Sequence, residues 1–212
     1  SHFEAINCWQ SCLAETDAAW IIAPECDGLL DRLVAAVPAG HTRFNSTPAA
    51  IRLCTDKLEL AGHLQQHGIA TIPTVAENWQ AAPLFAESPF VIKPRDGAGS
   101  DLVRRVHDVA EWNQVQQEFA ARPPTAAIRQ PYLAGQTLSI AGWFHTRDVQ
   151  WFPIAEQILG QNFAYCGGLM PADIPDHDAT TIRQLVTAAA ATIPGLHGYV
   201  GFDILLPTAA IS

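Results

Sequence analysis

Charge is scarce in this sequence of 212 residues: Asp, Glu, Lys and Arg make up only 16%, and the net balance of −9 includes no basic cluster. Neutralising a nucleic-acid backbone or an anionic membrane surface takes clustered Lys and Arg, so neither is an expected partner. The five cysteines (Cys8, Cys12, Cys26, Cys54, Cys166) are odd in number, scattered and without a C-x-x-C pair. That argues against a disulfide framework and a zinc site and points to the cytoplasm. Cys8 and Cys12 can share a helix face, and with no His or Cys neighbour they read as core residues. No apolar run approaches the roughly 20 residues of a membrane span. No signal peptide opens the sequence, and there are no repeats or low-complexity tracts. What the sequence does have is 49% hydrophobic content, ample for one large domain or two small ones.

Residues 18–23 form a continuous apolar run of strand length ending at Pro24-Glu25, and Leu29, Leu30, Leu33, Val34 and Val37 then recur at helical spacing. This is a β-α unit. Pro48 is well placed to open a helix, and a further helix is predicted over 56–66, with Asp56 as cap, Glu59 three residues on and Gly68 as the stop. Residues 69–75, broken by Pro73, read as an edge strand. Asp108 and Glu111 start a helix whose stripe is Val109, Trp112, Val115 and Phe119. Residues 137–144 alternate apolar and polar and 149–158 return, an antiparallel hairpin. Tyr165-Cys166-Gly167-Gly168 reads as a second Gly-rich loop. A helix from Asp178 and an apolar strand over 199–206 complete the order.

The stretch that carries chemistry is 89–101. Phe90 to Ile92 is a short strand ended by Pro94 just after Lys93, and Asp96-Gly97-Ala98-Gly99-Ser100 follows. A fixed ammonium at a strand end facing flexible backbone N–H groups suits a polyphosphate. A P-loop is rejected because the lysine precedes the glycines, and Gly-x-Gly-x-x-Gly is rejected because Leu102 stands where the third glycine belongs. A surface hairpin turn is the competing reading. Lys57 sits in a first helical turn, where the dipole disfavours a cation: it is either a solvated charge or part of an anion site. Asp203 is the one acid in its strand, and is either a metal or site ligand or a strand-end carboxylate.

In this order, Thr55-Asp56-Lys57, Val91-Ile92-Lys93-Pro94 with its glycine loop, Gln130-Pro131-Tyr132-Leu133-Ala134-Gly135 and Gly201-Phe202-Asp203 resemble the ATP-grasp superfamily of carboxylate-amine ligases. Ile22-Ala23-Pro24-Glu25, Asn45-Ser46 and Gln157-Ile158 followed by Tyr165-x-Gly167-Gly168 are similar to the subgroup containing tyramine-glutamate ligase of methanofuran biosynthesis. The resemblance implies an α/β (α+β) ATP-grasp fold, with a small partial N-terminal α/β subdomain over 1–54 and two α+β lobes gripping the nucleotide. The lobes would span 55–129 and 130–212, the second reading as truncated. It implies ATP and Mg²⁺ as cofactors, with Lys57 and Lys93 as catalytic residues on the α- and β-phosphates. Gly97, Gly99 and Ser100 would close over the β/γ end. Gln130, Pro131, Tyr132 and Leu133 would meet adenine, Thr137 the ribose, and Asp203 the metal.

The implied chemistry is phosphorylation of a substrate carboxylate and attack of an amine on the acyl phosphate, releasing ADP and phosphate. Glutamate and an aromatic amine or amino acid are the implied partners, and a homodimer the implied assembly. Gln157, Tyr165, Gly167 and Gly168 are candidates for the acceptor pocket, against an ordinary hairpin and turn. The sequence departs from the family by lacking the Glu-x-Asn metal pair after the Asp203 strand and by carrying Gln130 and Thr137 in place of acids. The alternative is therefore a nucleotide-binding or regulatory module without ligase activity.

Overall fold

The structure is a computed structural model that describes residues 9, 11–80, 89–122, 126–145 and 148–208. Cys8 lies outside these residues. Apolar side chains gather in three separate cores, each built where one face of a sheet meets a helix.

The first core holds Leu13, Ala19, Ile21, Val34, Val37 and Ile51. Strands β1 (Ala18–Ala19) and β2 (Thr42–Arg43) pair in parallel beside helices α1 (Leu29–Ala35) and α2 (Pro48–Thr55). The expected strand over 18–23 is thus much shorter. Beyond Ala19 the Asn45 side chain takes the place of a neighbouring strand: Asn45 Oδ1 accepts from Ile21 N at 2.8 Å and Asn45 Nδ2 donates to Ile21 O at 2.8 Å. Helix α2 has Pro48 at its start, capped by the Thr47 side chain, and helix α3 (Lys57–Gln66) follows after Asp56 alone, which accepts from Leu58 N and Glu59 N.

The second core lies between helix α4 (Val109–Ala120) and an antiparallel sheet of order β3-β6-β4-β5. Its strands are β3 (Val75–Ala76), β4 (Phe90–Pro94), β5 (Arg104–Val106) and β6 (Ala127–Pro131). Phe90 and Ile92 face Trp112, Val115 and Phe119 in the core, so strand alternation turns Val91 and Lys93 to the other face. Val109 is exposed and drops out of the expected stripe. Of the strand expected over 69–75 only the end forms, as an edge strand.

The third core joins helix α5 (Asp176–Ala191) to a sheet of order β10-β9-β7-β11, with β8 also on β7. The strands are β7 (Gly135–His145), β8 (Asp148–Trp151), β9 (Ala155–Leu159), β10 (Tyr165–Leu169) and β11 (Gly198–Pro207). Leu138 and Ile140 pack on Ile182 and Val186, leaving Thr137, Ser139, Ala141 and Trp143 on the opposite face. The return strand of the hairpin is split at Pro153, which has no N–H for the ladder. The second Gly-rich loop is corrected to a strand: Gly167 pairs with Ile158 and Gly168 with Gln157, across an irregularity after Tyr165. No helix among the described residues is long and apolar enough to cross a membrane.

One knot of side chains ties α3 to β4. Arg95 Nε meets both Asp56 carboxylate oxygens, at 2.8 and 2.9 Å, and Arg95 Nη2 reaches Glu59 at 3.1 Å. Burial pushes the Asp56 carboxyl up, but the Arg95 and backbone hydrogen bonds outweigh it and hold the group below its usual range. Asp56→Ala removes a cap and the Arg95 partner together, at an expected cost of about 2 kcal/mol at neutral pH. A carboxyl whose folded value is depressed contributes above its unfolded value, so the difference should close as pH falls below about 4. Urea denaturation of both proteins at neutral and acid pH checks this; an unchanged difference refutes the ion-pair account.

Candidate functional site

The outward faces of the second and third sheets bring most of the sequence-derived candidates together. Lys93 stands at the end of β4, half-buried, and makes no hydrogen bond or ion pair among the described residues. Burial, then the nearby Lys57 charge, push its pKa down to about 8, only partly opposed by Asp203. A desolvated ammonium beside a second ammonium is costly, and an anionic ligand removes the cost.

Lys57 opens α3, and its Nζ donates to Gly97 O at 2.8 Å. Burial lowers its pKa, while Asp96, Glu25 and Asp56 pull the other way. Further bonds brace the loop: Lys57 N to Arg95 O (3.0 Å), Arg95 N to Ala126 O (2.7 Å), and Asp27 N to Asp96 Oδ2 (3.3 Å). Gly99 (φ 70) and Ser100 (φ 61) are both left-handed, the second without the freedom of glycine. Lys57 is therefore neither a bare solvated charge nor a free one; it is latched to the loop it faces.

Across from Lys93, Asp203 projects from β11 and is exposed. The burial cost expected for an acid in an apolar strand does not arise. Gln157 Nε2 donates to Asp203 Oδ1 at 2.7 Å, and Thr137 Oγ1 donates to Gln157 O at 2.9 Å. Thr137, Gln157 and Asp203 thus form one hydrogen-bonded row. Tyr165, Gly167 and Gly168 lie on β10, the far edge of the same sheet, with Tyr165 exposed. They reach this row only through the pairing of Gly168 with Gln157.

In the connector, Gln130 and Pro131 end β6 and pair with Val91 and Phe90. The Gln130 side chain is held by Thr74 Oγ1 at 2.7 Å. Tyr132 N donates to Pro89 O at 2.9 Å, and the Tyr132 ring lies under Arg105, 3.7 Å from its centroid. Pro131 has no N–H, and the Leu133 and Ala134 N–H groups have no partner among the described residues.

Sequence reasoning missed Trp143 and Tyr199. The two pair in register, as do Ala141 with Gly201 and Ser139 with Asp203, so one face of β7 and β11 runs from aromatic to acidic. Trp20 lies 5.8 Å from Trp143 and Phe152 lies 6.1 Å from Tyr199. Large aromatics on the face away from the core were the available signal.

The cation pair, loop amides and free Leu133 N–H fit a nucleoside polyphosphate. For a metal, the described residues hold no group of three metal-ligating side chains, so Mg²⁺ would need oxygens from the nucleotide beside Asp203. Among the described residues Asp203 keeps one carboxylate oxygen without a partner, against the roughly six oxygens Mg²⁺ needs. A separate cavity of about 550 Å³ beside Asp56 and Arg95 is lined by Glu25, Asp27, Asp31 and Asp96, a poor setting for phosphates.

An ATP-grasp domain model matches residues 54–211, and a pre ATP-grasp 3 domain model matches residues 1–51. No curated protein matches the chain. Among solved structures, an ATP-grasp superfamily protein from Archaeoglobus fulgidus is 27% identical with a TM-score of 0.75, over 96% of this chain and 58% of that one. L-amino acid ligase from Bacillus licheniformis is 16% identical, TM-score 0.72, over 98% of this chain and 50% of that one. D-alanine–D-alanine ligase from Bacillus anthracis, complexed with ATP, is 16% identical, TM-score 0.74, over 96% and 68%. The chain spans 58% and 50% of the length of the first two.

Replacing Lys93 with methionine should separate binding from stability. The free variant should be more stable by roughly 1–2 kcal/mol, because an unpaired desolvated charge is gone. Since the folded pKa of about 8 lies below the ordinary lysine value of 10.5, the gain is full below about pH 8 and shrinks above it. Polyphosphate affinity should vanish in the variant, and in the unmodified protein should fall about tenfold per pH unit above that value. Denaturation and nucleotide titration across pH check both.

Proposed function

The chain belongs to the ATP-grasp domain family, and from that premise we propose that it binds ATP and joins a carboxylate to an amine with release of ADP and phosphate. The observation that carries the reading is Lys93: half-buried, unpaired, pressed by Lys57 and facing Asp203. Lys57 exchanges Gly97 O for a phosphate oxygen, which frees the loop of Gly97, Gly99 and Ser100 to follow the nucleotide. Leu133 N–H meets the base. A carboxylate oxygen attacks the γ-phosphorus as its bond to the β-bridging oxygen breaks. The amine nitrogen then attacks the acyl carbon, phosphate departs and the nitrogen loses a proton. No protein nucleophile is needed; positioning and charge neutralisation do the catalysis. Asp203 would help hold a Mg²⁺ ion, which would supply charge neutralisation at the polyphosphate.

On this reading residues 1–54 form the N-terminal subdomain and 55–129 and 130–212 the two lobes, working in the cytoplasm. For the substrates we propose glutamate and an aromatic amine or amino acid. The support is the resemblance of Ile22-Ala23-Pro24-Glu25 and Tyr165-x-Gly167-Gly168 to the tyramine-glutamate ligase subgroup, together with Trp143 and Tyr199 at one end of the cleft face. The alternative is a nucleotide-binding module without ligase activity, favoured by Asp203 being the single carboxylate at the metal position among the described residues.

The test is ADP release with Mg-ATP, glutamate and a panel of amines including tyramine and tyrosine. Release that needs both acid and amine, and disappears in Lys93→Ala, is expected; ATP binding without release for any pair supports the module. Gly201 offers a second test, since a side chain there meets open space. Gly201→Leu should fold, bind ATP normally and raise KM for the aromatic amine about tenfold or more. An unchanged KM removes the aromatic face from the acceptor site.

A further inference from the structure

A second cavity, of about 400 Å³, lies where the first unit meets the turn between α5 and β11, and His41, Arg43, Asn45, Thr47 and His197 are among the residues lining it. No acidic residue lines it. Arg43 is half-buried and makes no hydrogen bond or ion pair among the described residues. The sequence has 21 acids against 12 Lys and Arg, yet no described acid pairs with it. Arg52, Arg95, Arg104, Arg122 and Arg129 each have a carboxylate partner, at 3.2, 2.7, 2.8, 2.6 and 3.6 Å. Arg43 alone among the cavity residues carries a permanent charge, and it is uncompensated.

The walls are fixed. Thr47 N donates to Gly195 O at 2.8 Å, and His197 N donates to Ser46 Oγ at 3.1 Å. A Cβ at Gly195 would strike Thr47, and one at Gly198 would strike the Phe44 carbonyl, so the two segments meet without a gap. His41 is held by its Nε2 on Leu13 O at 2.7 Å. Helix-end carbonyls that would repel an anion are partly closed, since Ala36 N and Val37 N fold back on α1 and His41 N takes Pro38 O. Arg43 and Phe44 are consecutive in an extended segment and face opposite sides. Phe44 packs toward Trp143, 6.2 Å away, so Arg43 faces away from the cleft of Lys57 and Lys93.

We propose that this cavity is a second anion site, taking a small oxyanion, a carboxylate or a phosphate group, on the Arg43 fork with the His41 and His197 rings beside it. Guanidinium presents paired donors that match either group, and the volume suits a small metabolite. The site joins the first unit to the turn that leads into β11, the strand of Asp203. Its occupant therefore braces that strand from the end remote from the nucleotide. The proposal stands independently of the ligase reading.

The test is calorimetric titration of the full chain with inorganic phosphate and, separately, with succinate, at ionic strength fixed with chloride. Saturable binding is expected for at least one anion, and the tighter of the two identifies the class. It should persist in Lys93→Ala and weaken about tenfold or more in Arg43→Gln. Because Arg43 holds no partner, its loss should leave the melting temperature unchanged. Proton NMR gives a readout without mutation: the His41 and His197 ring signals should move on titration. Binding that is lost in Lys93→Ala but kept in Arg43→Gln, or no saturable binding to either anion, or unmoved histidine signals overturns the proposal.

Discussion

An ammonium that is taken partly out of water and given no partner is the constraint around which the rest of this molecule is arranged. Lys93 is held there by its own strand: Phe90 and Ile92 are locked into the second core, and the pleat then leaves Lys93 no choice of face. Pro94 closes the strand one residue later. Among the described residues no side chain pairs with the charge. Asp203 lies across the cleft and acts only at a distance, while Lys57 pushes in the opposite sense. The protein carries this cost within its core architecture, and on the proposed function a polyphosphate would lift it.

The neighbouring charges are sorted so that the cost is not relieved internally. Arg95 could have competed for the same anion, yet it is consumed by Asp56 and Glu59. The acids closest to Lys57, namely Asp96, Glu25 and Asp56, steady its charge, and Asp96 also anchors the loop to Asp27 N. Lys57 donates to a backbone carbonyl, a bond weaker than one to a carboxylate and therefore exchangeable for phosphate. Loop and latch thus share one residue, and on the proposed function the latch would open where the ligand arrives.

Much of this was legible in the sequence, because local chemistry decides it. The caps at Asp56 and Asp108, Pro48 at a helix start, the alternation along β7 and the strand-lysine-proline-glycine run each announce themselves within a few residues. What could not be read were partners distant in sequence. The strand expected over 18–23 shrinks because Asn45, more than twenty residues on, satisfies Ile21. The Tyr165 to Gly168 loop becomes a strand because β9 offers an edge to pair with, a preference set by context more than by glycine content. The knot of Arg95 with Asp56 and Glu59 was invisible for the same reason, and so was the bond that ties Gln157 to Asp203.

Asp203 shows how one geometric fact rearranges an argument. In an apolar strand an acid looks expensive, and expense suggests a cation bound directly to it. In the fold it stands on the outward face beside Ser139, already holding the Gln157 amide, so there is no burial debt for a metal to settle. Its field instead opposes the burial and Lys57 influences that push the Lys93 pKa down. The cleft face then divides by distance from this carboxylate. Asp203 and Ser139 form the charged end, Ala141 and Gly201 a bare middle, and Trp143 and Tyr199 an aromatic end, with Asp203 and Tyr199 about 13 Å apart along the strand. A ligand lying along that face would put its reacting group beside the lysines and its apolar body on the rings. The order is imposed by the register of two strands and by no single residue.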